Sequence, residues 1–148
     1  MSQATFFDLL RHILVTSFLA VCFWRKYKDI RLIIVSLFTG LLIDLDHLFD
    51  YFYWAGPRFN LKEFFDPTTY VVSTNKVFVF FHGWEFLPIL FLLGGKLEKK
   101  VPGLKYALTL PYLFHLIIDQ IPHINSPFAY CFVYRLINKF SLVAFNGR

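Results

Sequence analysis

Charged residues are scarce in this chain. They make up 17% of its 148 residues, against about 25% in an ordinary soluble domain. The shortage points to lipid, not water, as the main solvent. Cysteine is scarcer still. Cys22 and Cys131 are the only two, they form no CxxC pair, and they offer neither a zinc-finger spacing nor a disulfide framework. There is no internal repeat and no low-complexity tract. A basic leader is also missing: the first apolar run opens on Asp8, carries Arg11 and His12 inside it, and lacks a small-x-small site after it. It reads as a retained helix rather than a cleaved signal.

What the chain has is apolar surface: 57% of it is hydrophobic and 21% aromatic. A membrane helix needs roughly 20 mostly apolar residues, and four stretches come close, at 5–24, 32–54, 77–93 and 106–121. The expectation is an all-α protein, a single integral membrane domain over residues 1–148. It is a polytopic bundle of four spans followed by an amphipathic tail at 128–145. That tail reads as a C-terminal interfacial helix, with a fifth membrane span as the alternative. In the tail Arg135 is expected to snorkel to the interface. Aromatic residues 51–54 look like interfacial anchors, Pro111 is expected to kink the fourth span, and residues 59–65 fit a short piece lying flat on the membrane.

The net charge of +5 is not a nucleic-acid footprint, because the cations sit in two short loops between apolar runs. One holds Arg25, Lys26, Lys28 and Arg31; the other holds Lys96, Lys99, Lys100 and Lys105. Cytoplasmic loops carry such an excess, so the long 55–76 connection is expected on the outer side.

Every apolar stretch nevertheless contains ionisable residues: Asp8 and His12; Asp44, Asp46 and His47; His82 and Glu85; His115 and Asp119. A carboxylate at mid-bilayer costs about 2.5–3.5 kcal/mol on insertion scales, so five left unpaired would cost on the order of 10 kcal/mol. They must be compensated. Residues three or four apart share a helix face, so each span is expected to present one imidazole and one carboxylate on one stripe, as in carboxylate-bridged metal sites of helix bundles. Arg11 is the only cation near the set, which leaves divalent metal as the neutralising charge. Chain direction alternates, yet the polar groups stay in one layer roughly 5–15 Å below the outer surface.

The expected metal ligands are His12, Asp44, Asp46, His47, His82, His115 and Asp119. On a straight helix Asp44 and Asp46 lie about 200° apart, so either a local distortion brings both to the site or one of them caps a neighbour. Asp50 reads as an interfacial charge and His123 as an exposed loop residue. Glu85 is the candidate general base, with Asp46 as a second catalytic candidate. Imidazole and carboxylate suit zinc, manganese or iron, and this many ligands suffices for one to three ions.

The order of these pieces resembles the YdjM-like family of membrane-bound metal-dependent hydrolases: a His in the first span, the segment Asp44–His47 reading DLDH, a His-Gly pair at His82, and HLIID from His115 to Asp119. The resemblance covers most of the chain, from about His12 to Asp119. The family is distantly similar to zinc-dependent phospholipase C. Two places depart from its pattern. Ile43 stands where the family often has Pro, and the third motif reads HGWE without the further His or Ser the family carries. The resemblance implies a metal-dependent hydrolase in the plasma membrane of a bacterium or archaeon, acting on a phosphoester or ester of a lipid-like substrate near the non-cytoplasmic face. Two other readings compete. A metal- or proton-coupled transporter would bind near the midplane and show repeats. A non-enzymatic adaptor would lock its helices with Ser, Thr, Asn and Gln.

Overall fold

The computed structural model describes residues 3–147, with Ala4 by its backbone alone. Among the described residues nine α-helices follow one another: α1 (Gln3–Tyr27), α2 (Ile30–Leu41), α3 (His47–Ala55), α4 (Leu61–Phe64), α5 (Pro67–Thr74), α6 (Phe86–Leu97), α7 (Leu104–Gln120), α8 (Phe132–Ile137) and α9 (Leu142–Phe145). Short 3₁₀ turns occupy Leu42–Asp46 and Ile121–His123. Among the described residues no strand forms; one isolated bridge pairs Lys76 with Ser141.

Local chemistry sets the boundaries. Lys28 turns left-handed (φ 57°) and its N–H reaches the Trp24 carbonyl at 2.7 Å, which closes α1. One residue on, the Asp29 carboxylate accepts the Arg31 N–H at 2.9 Å and caps α2. Asn60 caps α4 in the same way. Gly56, at φ 66°, ends α3 in a conformation that favours glycine.

Helices α1, α2 and α7 pack on one another, α6 lies against α7, and α3 packs on α5. Phe23, Leu32, Leu104 and Ala107 form one buried cluster, and Ile43, Val79, Tyr112, Leu116, Ala129 and Phe145 belong to another. The outside is apolar too: Leu14, Phe18, Ile34, Phe38, Leu92 and Leu93 are all more than half exposed.

Two of the four expected spans are long and apolar enough to cross a membrane, Thr5–Tyr27 and Ile30–Ala55. The third expected span does not start at residue 77. Residues 75–85 follow no helical period, and α6 begins only at Phe86. His82 and Glu85 therefore do not share a helix face. The tail is not one interfacial helix but two short ones separated by a turn in which Lys139 and Phe140 take positive φ. Arg135 does not snorkel; it is 2% exposed.

Candidate metal centre

The second expected span contains the distortion that the two aspartates require. Over Leu42–Asp46 the helix tightens to 3₁₀, which turns about 120° per residue instead of 100°. Asp44 and Asp46 then flank a single imidazole. His82 Nδ1 donates to Asp46 Oδ2 at 3.0 Å, and His82 Nε2 faces Asp44 Oδ1 at 3.2 Å.

His115 and Asp119 come from successive turns of α7. His115 Nδ1 lies 3.0 Å from the Gly40 carbonyl, which can only accept, so Nδ1 carries the proton and Nε2 presents its lone pair. In His82 the Asp46 carboxylate fixes the tautomer in the same way. Such an outer partner on the second nitrogen is usual for metal-ligating histidine.

Two triangles of ligand atoms share one edge. His82 Nε2 and His115 Nε2 are 3.0 Å apart. Asp44 Oδ1 is 3.2 Å from each of them. Asp119 Oδ2 is 3.1 Å from His115 Nε2 and 3.4 Å from His82 Nε2. A tetrahedron of N and O ligands about 2.0–2.1 Å from a zinc-sized ion has edges of about 3.3 Å. Each triangle, Asp44–His82–His115 and His82–His115–Asp119, matches one face of such a tetrahedron. With both Nδ1 atoms donating, the two imidazoles turn acceptor lone pairs toward the Asp44 and Asp119 carboxylates, a donor set that suits a cation.

The site extends to both sides as three overlapping triads: His12, His115 and Asp119; Asp44, His82 and His115; Asp46, His47 and His82. All seven expected ligands fall within them. His12, 3% exposed, places Nε2 3.0 Å from Asp119 Oδ1 and 3.7 Å from Asp8 Oδ2, and its ring stacks 4.0 Å from that of His115. Asp46 Oδ1, His47 Nδ1 and His12 Nδ1 are buried without hydrogen-bond partners among the described residues. Buried polar atoms are seldom left so, and these three lie at the edges of the set, open to further ligation.

Glu85 is not in the cluster. Its carboxylate accepts from Cys131 Sγ at 2.9 Å and from the backbone N–H groups of Phe132 and Val133 at 3.0 Å each. It satisfies the free amides at the start of α8, and its expected role as general base has no geometric support. Asp46, the other catalytic candidate, spends Oδ2 on His82 and on the Phe81 N–H at 2.7 Å, so it orients His82.

Other functional residues were not expected. The irregular segment that carries His82 is held by side chains from three distant elements. Asp50, read as an interfacial charge, is buried and accepts from Phe78 N at 2.7 Å and Val79 N at 3.1 Å. Arg135 donates to the carbonyls of Phe78, Val79 and His82 at 2.7, 2.8 and 2.6 Å. The Tyr112 hydroxyl lies 2.8 Å from the Phe81 carbonyl and 2.6 Å from that of Gly83. The one signal in the sequence was charge inside apolar tracts at Asp50 and Arg135. His123 is half-buried, its ring edge against Phe145 at 4.7 Å.

A cleft of about 130 Å³ reaches the centre from outside, between α1 and the α4–α5 segment. Asp8, His12, Asp44 and His47 lie on its polar side, and Phe64, Phe65 and Tyr70 on its aromatic side. The Asp44 side chain is 34% exposed there, while the His82 and His115 side chains are closed off.

Gly40 holds this geometry together. A Cβ on it would meet Thr16 Oγ1 at 2.5 Å, Thr16 Cγ2 at 2.7 Å and Pro111 Cβ at 2.9 Å. Gly40→Ala is therefore expected to push α2 away from α1 and α7, draw the Gly40 carbonyl off His115, and destabilise by about 1–3 kcal/mol, as overpacking does. Thermal unfolding in detergent measures this; an unchanged midpoint would contradict the three-helix contact.

Comparison with family models, with curated proteins and with solved structures gives no match.

Proposed function

We propose that this chain is an integral membrane metalloprotein, and that it acts as a metal-dependent hydrolase on a phosphoester or ester of a lipid-like substrate. The observation that carries the reading is the pair of facing nitrogens, His82 Nε2 and His115 Nε2, with Asp44 and Asp119 carboxylate oxygens 3.1–3.4 Å from them. In this reading all of α1, α2–α3, α6 and α7 lie in the bilayer. The exposed Phe, Leu and Ile side chains face acyl chains. The non-helical 75–85 segment is tolerated at depth because its polar groups are satisfied inside the protein. The YdjM-like resemblance of the motifs agrees with the same chemistry.

Asp44, His82, His115 and Asp119 would hold the first ion, and His12, Asp46 and His47 leave room for one or two more. Zinc, manganese or iron suit these ligands. A divalent ion supplies Lewis acidity: it polarises a phosphoryl or carbonyl oxygen and brings the acidity of a water toward neutral pH. The protein's own groups do the rest. Asp46 and the Gly40 carbonyl keep His82 and His115 in one tautomer. Asp44 is the ligand a molecule in the cleft can reach. Asp8, on the cleft wall and 3.7 Å from His12 Nε2, takes the place of Glu85 as proton acceptor. The aromatic wall shields the reacting group from water and suits the apolar shoulder of a lipid.

The test is release of headgroup or acyl products from phospholipid mixed micelles, with metal-loaded wild type beside Asp119→Ala. Product is expected from wild type, and none above background from the variant, with both proteins equally folded by circular dichroism. Equal rates for the two would sink the assignment. Flux of metal or protons across proteoliposomes, with no hydrolysis of any lipid, would favour a carrier instead.

A further inference from the structure

The far end of the bundle from the metal centre carries a surface that the hydrolase reading does not use. The two basic loops, distant in sequence, meet there. Gly103 has no side chain, and a Cβ on it would lie 2.5 Å from the Tyr27 ring, so the loop after α1 and the loop before α7 are in contact. Phe23, Leu32, Leu104 and Ala107 are buried beneath them.

Both acids at this end are already engaged. Arg31 grips Asp29 with Nη2 at 2.6 Å and Nε at 3.0 Å. These hydrogen bonds hold the Asp29 carboxyl below its usual range. Glu98 accepts from Gly103 N at 2.8 Å and Lys105 N at 3.0 Å. Burial pushes the Glu98 carboxyl up, but the two N–H groups outweigh it and keep it below the ordinary value. Neither acid is left to neutralise a neighbour. Arg25, Lys26, Lys28, Lys96, Lys99 and Lys100 are exposed and, among the described residues, make no ion pair.

These cations are interleaved with aromatic rings. Lys28 stands over Trp24 at 5.8 Å, Lys26 over Tyr27 at 5.1 Å, and Lys105 over Tyr106 at 4.8 Å and Phe91 at 5.0 Å. Val21, Ile34 and Leu92 continue the wall as exposed apolar residues. A flat basic face for nucleic acid has no use for such a wall. A basic rim above an aromatic girdle above an apolar wall matches the headgroup, interface and acyl layers of a leaflet in that order.

We propose that this end is a binding surface for anionic phospholipid headgroups, on the membrane face opposite the metal centre. Along α7, Lys105 and Asp119 are separated by about 21 Å at 1.5 Å per residue, so one end of the helix meets the anionic leaflet while the other supports the centre. The proposal rests on the membrane reading of the helices and not on the metal.

The experiment has two parts. First, the protein is reconstituted into phosphatidylcholine vesicles and washed with alkaline carbonate. Second, the detergent-purified protein is titrated with phosphatidylglycerol and with phosphatidylcholine of matched chains, beside a Lys28→Gln/Lys96→Gln/Lys99→Gln/Lys100→Gln variant. Retention in the vesicles is expected, with about tenfold or greater preference for phosphatidylglycerol at low salt. That preference should shrink as salt shortens the screening length and vanish in the variant, whose metal content stays that of wild type. Loss from the vesicles would overturn the membrane reading and this proposal with it. Retention with equal affinity for the two lipids, or an undiminished preference in the variant, would overturn the proposal alone. So would a single-stranded RNA oligonucleotide that displaces bound phosphatidylglycerol and binds the surface more tightly.

Discussion

His82→Ala should empty the metal centre. The imidazole of His82 belongs to two of the three triads. It stands within 3.0–3.4 Å of Asp44, Asp46, His115 and Asp119. Removing an outer-sphere partner of a metal ligand lowers affinity about 10–100-fold, so removing this shared ligand should exceed about 100-fold. At least one equivalent of bound metal should be lost. Competition against a chelator of known affinity measures it, and circular dichroism checks that the helices remain. Wild-type affinity in His82→Ala would mean that the converging nitrogens do not hold the ion. His82→Gln, which restores a polar side chain without imidazole nitrogen, should be no better than the Ala variant for a zinc-sized ion.

The second large effect is expected at Arg135. Its guanidinium serves three backbone carbonyls of the segment that carries His82. Arg135→Met leaves the Phe78 and His82 carbonyls unmet, at about 1–3 kcal/mol each, and the Val79 carbonyl with the His82 N–H alone. A loss of several kcal/mol should lower the unfolding midpoint by about 10 °C or more. Arg135→Lys keeps the charge but not the planar fork of donors, and should recover only part of the loss. Metal affinity should fall in both variants, because the His82 backbone is no longer anchored. Lys62→Met, an exposed cation changed in the same way, is the control and should leave both quantities unchanged. A metal affinity untouched by Arg135→Met would limit Arg135 to a structural role.

These two residues mark where the sequence was readable and where it was not. His12, His115 and Asp119 were legible because they lie on long helices, where a fixed period assigns faces: His115 and Asp119, four apart, do meet. The DLDH pair was legible as a conflict. Asp44 and Asp46 could serve one site only if the helix deformed, and the 3₁₀ turn is that deformation. The all-helical class was also readable from the apolar runs.

His82 was found for a reason that does not hold. Its spacing from Glu85 suggested a shared helix face, but residues 75–85 have no helical period to share. The apolar run from Val77 to Phe81 has the composition of a buried helix or strand. What fixes it is a set of hydrogen bonds from Asp46, Asp50 and Arg135, which lie 35, 28 and 57 residues away along the chain. Local periodicity carries no trace of partners so remote. Glu85 was misread for the same reason, since its partners are amides of α8. Arg135 was taken as an interfacial arginine because an amphipathic pattern shows that a charge interrupts an apolar tract, but not whether water or carbonyls receive it.

The most direct test of the central claim is elemental analysis of the detergent-purified protein, wild type beside His115→Ala/Asp119→Ala. The account predicts one to three equivalents of zinc, manganese or iron in wild type. Chelation should remove them with a fall in thermal stability, metal add-back should restore both, and the double variant should hold at least one equivalent fewer. Wild type that is metal-free as purified, takes up none on add-back, and unfolds at the same temperature with and without chelator would contradict it. The converging imidazoles and carboxylates would then be a proton-sharing network that packs the helices.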